Sequence, residues 1–236
     1  MIKAAIFDVF GTVVDWRSGV AAVAERAFAA KSIALAPLDF ADAWRGEYQP
    51  AMERIRTGQR GYVALDDLHL ENLDRVLERF DIGDAFDAAE RAEMNTSWER
   101  LPPWPDAAAG LAEIKRHVII GTCSNGSIAL MSRLARYAGL PWDCLLGADV
   151  ARAYKPQPEA YLRSAAALRL DPGEVLMVAA HNYDLAAAAE LGLQTAFVPR
   201  LDEAGPGTGE PEPTSDWTII ATDFHDLAHK IAERNG

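Results

Sequence analysis

Short apolar runs alternating with helical stretches constrain this chain more than any other feature. Ile2–Phe7 is apolar but for Lys3 and well short of the roughly 10–12 residues a buried helix needs, so it reads as a strand buried on both faces. Runs of the same texture return at Val118–Cys123, Cys144–Leu146, Val175–Ala179, Thr195–Val198 and near Thr218–Ile220. Between them, Asp106–Arg116, Ser127–Tyr137, Pro158–Leu168 and Asp184–Leu191 carry apolar residues at three- and four-residue spacings. Strands that alternate with helices call for right-handed crossovers, which predicts an α/β fold built on a doubly wound, Rossmann-like parallel sheet.

One block breaks the alternation. After Asp8-Val9-Phe10-Gly11-Thr12 the pattern turns helical and stays so, at Ala21–Ala30, Phe40–Arg56, Asp66–Phe80 and Asp84–Trp98. Pro102-Pro103-Trp104-Pro105 then marks a boundary, because three prolines in four residues cannot continue a helix. The expected organisation is an α/β core of residues 1–15 and 99–236 with a helical cap, 16–98, inserted after the first strand. Asp202–Asp216, rich in Gly, Pro and Glu, reads as a solvated loop.

Composition bears on partners. Half of the 236 residues are hydrophobic, enough for a substantial core, and the formal net charge is −12. A surface of that sign repels phosphate backbones and anionic lipid, so neither nucleic acid nor membrane is an expected partner. An anionic substrate needs a few local cations to override the field. Cys123 and Cys144 form neither a disulfide framework nor a metal-ligand spacing and read as buried thiols in a reducing cytoplasm. No leader-like segment opens the chain, and no apolar stretch approaches the roughly 20 residues that span a bilayer.

In open parallel sheets ligands bind beyond the carboxyl ends of the strands. The predicted strands run into Asp8, into Ser124-Asn125-Gly126-Ser127, into Tyr154-Lys155-Pro156 and into His181-Asn182-Tyr183-Asp184. Four strand ends thus supply two carboxylates, a hydroxyl, an amide, an ammonium and an imidazole. Convergence on one site is the expectation.

These residues, in this order, resemble the haloacid dehalogenase superfamily, whose members carry a nucleophilic Asp in a D-x-x-G-T turn, then Ser or Thr, then Lys, then an acidic loop. Phe-Asp-Val-Phe-Gly-Thr, Ser-Asn-Gly-Ser and Tyr-Lys-Pro together are similar to the L-2-haloacid dehalogenase branch, and the likeness covers essentially the whole chain. It implies hydrolysis of a short anionic (S)-2-haloacid by water through an aspartyl ester, with no metal or cofactor, and it allows a homodimer. Phe10 stands where phosphatases of the superfamily carry a second Asp that protonates the leaving oxygen. A halide leaves as a stable anion and needs no proton. A phosphatase using Mg²⁺ on Asp8 and Asp184 and a non-catalytic binder of small acids are the competing readings.

The resemblance assigns roles residue by residue. Asp8 attacks, Thr12 orients it, Lys155 holds it ionised and Asp184 anchors Lys155. Ser124 and the backbone N–H groups of Val9 and Phe10 bind the substrate carboxylate, Asn125 contacts the halide, and Arg45, after Trp44, closes over both. Arg54, Arg56 and Arg60 compete for that last role. Tyr161 and Asn182 are placed at the substrate, and Tyr183 and Tyr62 as pocket walls. Structural readings stand beside these: Asp184 as a helix N-cap, Ser-Asn-Gly as a plain turn. The family's usual Ser and Asn in the fourth loop are here Ala179 and His181, so His181 is expected to activate the hydrolytic water.

Overall fold

The computed structural model describes all 236 residues. Five parallel strands, β1 (Ala4–Phe7), β2 (Ile119–Thr122), β3 (Val175–Ala179), β4 (Gln194–Phe197) and β5 (Ile219–Ile220), form one sheet in the order β2-β1-β3-β4-β5. All four residues of β1 are buried, as a central strand covered on both faces requires. The chain steps from β1 to β2 on one side, then crosses back to β3 on the other. The order reverses at β1, the crevice where open α/β sheets bind ligands.

Helices α1 (Trp16–Lys31), α2 (Pro37–Gly46), α3 (Tyr48–Arg56), α4 (Leu65–Arg79) and α5 (Ala88–Asn95) form the inserted block. The expected single helix Phe40–Arg56 is two, broken at Glu47, where helix-weakening Gly46 precedes and Pro50, which lacks an amide hydrogen, belongs to the first turn of α3. Helices α6 (Ala107–Ile114), α7 (Ile128–Ala138), the one-turn α8 (Ala148–Ala151), α9 (Pro158–Ala167), α10 (Asn182–Glu190) and α11 (Phe224–Asn235) flank the sheet. None of the helices is long and apolar enough to cross a membrane. A continuous cluster of 49 buried apolar residues runs from β1 and β3 into the inserted helices, so apolar contact joins the two parts directly.

The expected strand Cys144–Leu146 is instead a ribbon touching β2 through isolated bridges, Gly121 to Cys144 and Ser124 to Gly147. Thr122 explains the interruption: its hydroxyl accepts from the Leu146 amide at 2.9 Å, taking that donor from the ladder, and donates to the Leu146 carbonyl at 2.8 Å beside the backbone bond from Ser124. Cys144 is therefore only half-buried, whereas Cys123 is fully so. Gly147 (φ +119°) lets this ribbon approach, since a Cβ there would lie 2.1 Å from the Ser124 carbonyl oxygen.

Candidate active site

Asp8 follows β1 directly, and its backbone N–H still donates to the Val178 carbonyl of β3, so the strand fixes where the side chain emerges. The carboxylate is 7% exposed and fully engaged. Lys155 Nζ donates to Oδ1 at 2.8 Å, the Thr12 hydroxyl donates to Oδ2 at 2.8 Å, and His181 Nδ1 lies 3.1 Å from Oδ2. Thr12 Oγ1 in turn accepts from the Ala180 amide at 2.9 Å, tying the first turn to the end of β3. Arg200 secures that turn from behind, donating to the Thr12 carbonyl and bidentately to Asp106.

Lys155 sits between two acids, with Nζ 2.8 Å from Asp8 and 2.5 Å from Asp184. Burial by itself would strip its proton, but Asp184 and Asp8 outweigh that and raise its pKa well above the usual lysine range. For Asp8 burial pushes upward, and Lys155 and His181 overcome it, so the carboxyl is held ionised far below the ordinary range. The result is a desolvated carboxylate kept charged by fixed neighbours. Asp184 is pushed upward by burial, with Lys155 opposing. The Asp8 and Asp184 carboxylates make a poor seat for a divalent cation, because the Lys155 ammonium lies between them and the Phe10 side chain adds no carboxylate.

Several expected residues take other positions. Tyr161 is fully buried and donates its hydroxyl to Asp184, so it braces the acid that holds Lys155 and does not reach substrate. Asn182 is committed to the loop after β4: its amide nitrogen donates to Glu210 and to the Glu212 carbonyl, and its oxygen accepts from Thr214 and Trp217. It anchors a strap and has no capacity left for a ligand. Tyr62 stacks on Tyr154 and donates to Asp149, which removes it from the pocket wall. Tyr183 stays at the rim, its ring centroid 5.7 Å from that of His181 and the residue half exposed.

The remaining residues converge. Ser124 is fully buried with its oxygen accepting from Gly126 N, which leaves its hydroxyl hydrogen free. Asn125 uses its carbonyl oxygen to hold the Lys155 amide at 2.9 Å, and nothing in the chain accepts from its NH2 group. The backbone N–H groups of Val9 and Phe10 donate to no carbonyl of the chain. From the inserted helices, the Arg45 guanidinium lies 4.0 Å from the Tyr48 ring, 5.3 Å from Trp16 and 6.0 Å from Phe10, with Nη1 buried and unbonded. Arg56 is occupied by Glu53, Gln49 and the Lys155 carbonyl, and Arg60 pairs bidentately with Glu71. Arg54 also has a buried unbonded nitrogen but none of Arg45's aromatic frame.

Glu203 is a site residue that sequence reasoning missed. It belongs to the stretch expected to be solvated, yet its side chain is only 14% exposed and meets His181 Nε2 at 2.7 Å while accepting from Trp16 Nε1 at 3.0 Å. It lies directly over Gly11 (φ +90°), where a Cβ would meet Oε1 at 2.0 Å. Nothing local in Leu201-Asp202-Glu203-Ala204 distinguishes this acid from its neighbours. The glycine beneath it and the imidazole beside it are the only signals, and both are distant in sequence. With a carboxylate on each nitrogen, His181 overcomes the downward push of burial and its pKa rises to about 10.

A parallel sheet that carries a buried, ion-paired carboxylate at the carboxyl end of β1, under inserted helices, defines a doubly wound α/β protein with a charged site at its topological switch point. A family model described as haloacid dehalogenase-like hydrolase matches residues 2–192, and the chain belongs to that family. The (S)-2-haloacid dehalogenase of Xanthobacter autotrophicus is 32% identical over 208 residues, 86% of this chain and 77% of that protein. The solved structure of the defluorinating L-2-haloacid dehalogenase Rha0230 is 47% identical, covers 98% of this chain and 95% of that one, and superposes with a TM-score of 0.96. The structure of the Xanthobacter autotrophicus L-2-haloacid dehalogenase with chloropropionic acid covalently bound is 26% identical, covers 98% and 99%, and gives a TM-score of 0.82.

Proposed function

We propose that this chain is a hydrolase acting on carbon–halide bonds, converting short (S)-2-haloacids to 2-hydroxy acids through an ester on Asp8. The observation that carries the reading is the buried Asp8 carboxylate, held charged by Lys155 at 2.8 Å, with Phe10 two residues on in place of an acid. In the first step an Asp8 oxygen attacks C2 in line; the carbon–halogen pair leaves with the halide and an ester bond forms. Ser124 and the free amides of Val9 and Phe10 hold the substrate carboxylate, while Arg45 and the NH2 group of Asn125 receive the halide. Helices 16–98 act as the cap that excludes bulk water, which strengthens each of these charged contacts. Relatives named for haloacid dehalogenation support this reading, and the defluorinating one supports including fluoroacetate among the substrates.

In the second step water attacks the ester carbonyl. In the resting enzyme the His181 pKa of about 10 makes it an imidazolium, unable to take a proton at neutral pH. Esterification removes the Asp8 charge, one of the two that raise it, while burial continues to favour the neutral ring. The pKa therefore falls as the ester forms. Glu203 keeps the Nε2 hydrogen, and Nδ1, which faced Asp8, becomes the lone pair that deprotonates the water. Lys155 stabilises the oxyanion that develops on the ester carbonyl oxygen; its collapse breaks the bond between Asp8 Cγ and the product oxygen, which takes back the proton held on Nδ1 as the 2-hydroxy acid leaves.

A halide-release screen tests the assignment. Chloro-, bromo- and fluoroacetate are expected to be turned over in the presence of EDTA, and (S)-2-chloropropionate is expected to yield (R)-lactate by inversion. Equal rates for both enantiomers, or retention at C2, would contradict it. The cap arginines provide a second check. Arg45→Ala is expected to lower kcat/KM by about 10- to 100-fold, the value of a charged hydrogen bond lost in a dry site, and Arg54→Ala by much less. If Arg45→Ala stays within about twofold of wild type in steady-state kinetics, a change worth less than RT, Arg45 does not contact substrate.

A further inference from the structure

Helix α4 presents Leu65, Leu68, Leu73 and Val76 to the core, and His69 falls on the same face, four residues from Leu65 and four from Leu73. A leucine or phenylalanine would satisfy this position. The imidazole is 1% exposed, and neither ring nitrogen bonds to any group of the chain. Its place is well fixed: the ring stacks on Trp98 at 4.1 Å between centroids, faces Phe10 edge-on at 6.2 Å and Tyr48 at 5.9 Å, and its backbone carbonyl accepts from Trp44 Nε1. Buried polar atoms left without partners cost stability, and they persist where a ligand answers them.

The surroundings indicate which ligand. Arg45 borders the same two rings, Phe10 and Tyr48, and its Nη1 is likewise unbonded. Burial, and then the charge of Arg45, keep the imidazole pKa well below its usual value, so the ring is neutral and carries one N–H and one lone pair. Next to an arginine that N–H serves an anion, because it donates without adding a second buried charge. In-line attack by Asp8 sends the leaving group away from the nucleophile, and the substrate carboxylate is already served on the sheet side by Ser124 and two backbone amides. The halide therefore departs toward the face made by Arg45, Tyr48 and the rings around Phe10.

We propose that His69 belongs to the halide receptor, one ring nitrogen donating its hydrogen to the halide displaced from C2. The proposal rests on the dehalogenase reading above. The halide takes the bonding pair from C2, and His69 gives a hydrogen bond without transferring its proton. Fluoride accepts hydrogen bonds most strongly of the halides and is the poorest leaving group, so loss of this donor bears hardest on carbon–fluorine cleavage.

Two variants test it: His69→Phe, which keeps the stacking, and His69→Gln, which keeps an N–H donor. With thermal melts confirming the fold of each, His69→Phe is expected to lower kcat/KM for fluoroacetate about tenfold more than for bromoacetate, the effect of one hydrogen bond to a developing anion, and His69→Gln to recover part of that gap. Equal losses on both substrates in both variants would overturn the proposal. Bromide titration read by tryptophan fluorescence separates this result from failure of the functional reading. Even if wild type released no halide from any haloacid, saturable quenching that weakens in His69→Phe would uphold the halide site, and superimposable curves would refute it.

Discussion

Asp8→Asn is expected to lower kcat by about 10⁴-fold or more, the scale on which removal of a nucleophile leaves only binding and electrostatic assistance. The protein should nevertheless stay folded. With His181 protonated, the buried cluster sets three carboxylates, Asp8, Asp184 and Glu203, against two cations, Lys155 and His181. Asparagine removes one carboxylate and, as esterification does, lowers the His181 pKa, so that Asp184 and Glu203 face Lys155 and the excess of negative charge does not grow. The amide oxygen can still accept from Lys155, but the NH2 group then faces the Thr12 hydroxyl and His181, so some loss of thermal stability accompanies the loss of activity. Activity within about tenfold of wild type, in a sample shown by mass spectrometry to be free of deamidation, would remove the covalent mechanism.

His181→Ala is expected to separate the two halves of the reaction. Alkylation of Asp8 needs no base, so the variant should release a burst of about one halide per enzyme and then stall, with ester hydrolysis slowed by about 10²- to 10⁴-fold. In the wild type, that hydrolysis needs Nδ1 unprotonated, so its rate should rise with pH through the His181 pKa of the esterified enzyme and then level. The variant should lose that rise. Rapid-quench measurement of halide against intact mass distinguishes the outcomes: steady turnover with no accumulated ester would make His181 a packing residue.

How much of this was legible in the sequence follows from where each signal is written. Asp8, Ser124 and His181 follow strands whose apolar runs are plain, and a parallel sheet brings such positions together, so their convergence could be reasoned without coordinates. The strand expected at Cys144–Leu146 failed because Thr122, a distant residue, takes the ladder amide of Leu146 with its side chain. Asn182 and Tyr161 sit close to site residues in sequence, yet point to a loop and to Asp184 respectively, since side-chain direction at a helix start is set by tertiary partners. Glu203 was invisible for the complementary reason. Its loop reads as solvent-exposed by composition, and only the packing of that loop over Gly11 and Asn182 turns Glu203 and Glu210 inward. Arg45 could be placed among several cap arginines, but choosing it needed the ion pairs that occupy Arg56 and Arg60.

The central claim is that the oxygen delivered to the product comes from Asp8 and that water replaces it on the enzyme. A single turnover in H₂¹⁸O, with enzyme in excess over (S)-2-chloropropionate, tests this most directly. The account predicts unlabelled oxygen in the lactate hydroxyl and ¹⁸O in the peptide that contains Asp8, read by mass spectrometry. Label in the lactate hydroxyl after that first turnover, with Asp8 unlabelled, would mean that water attacks C2 directly and would contradict it.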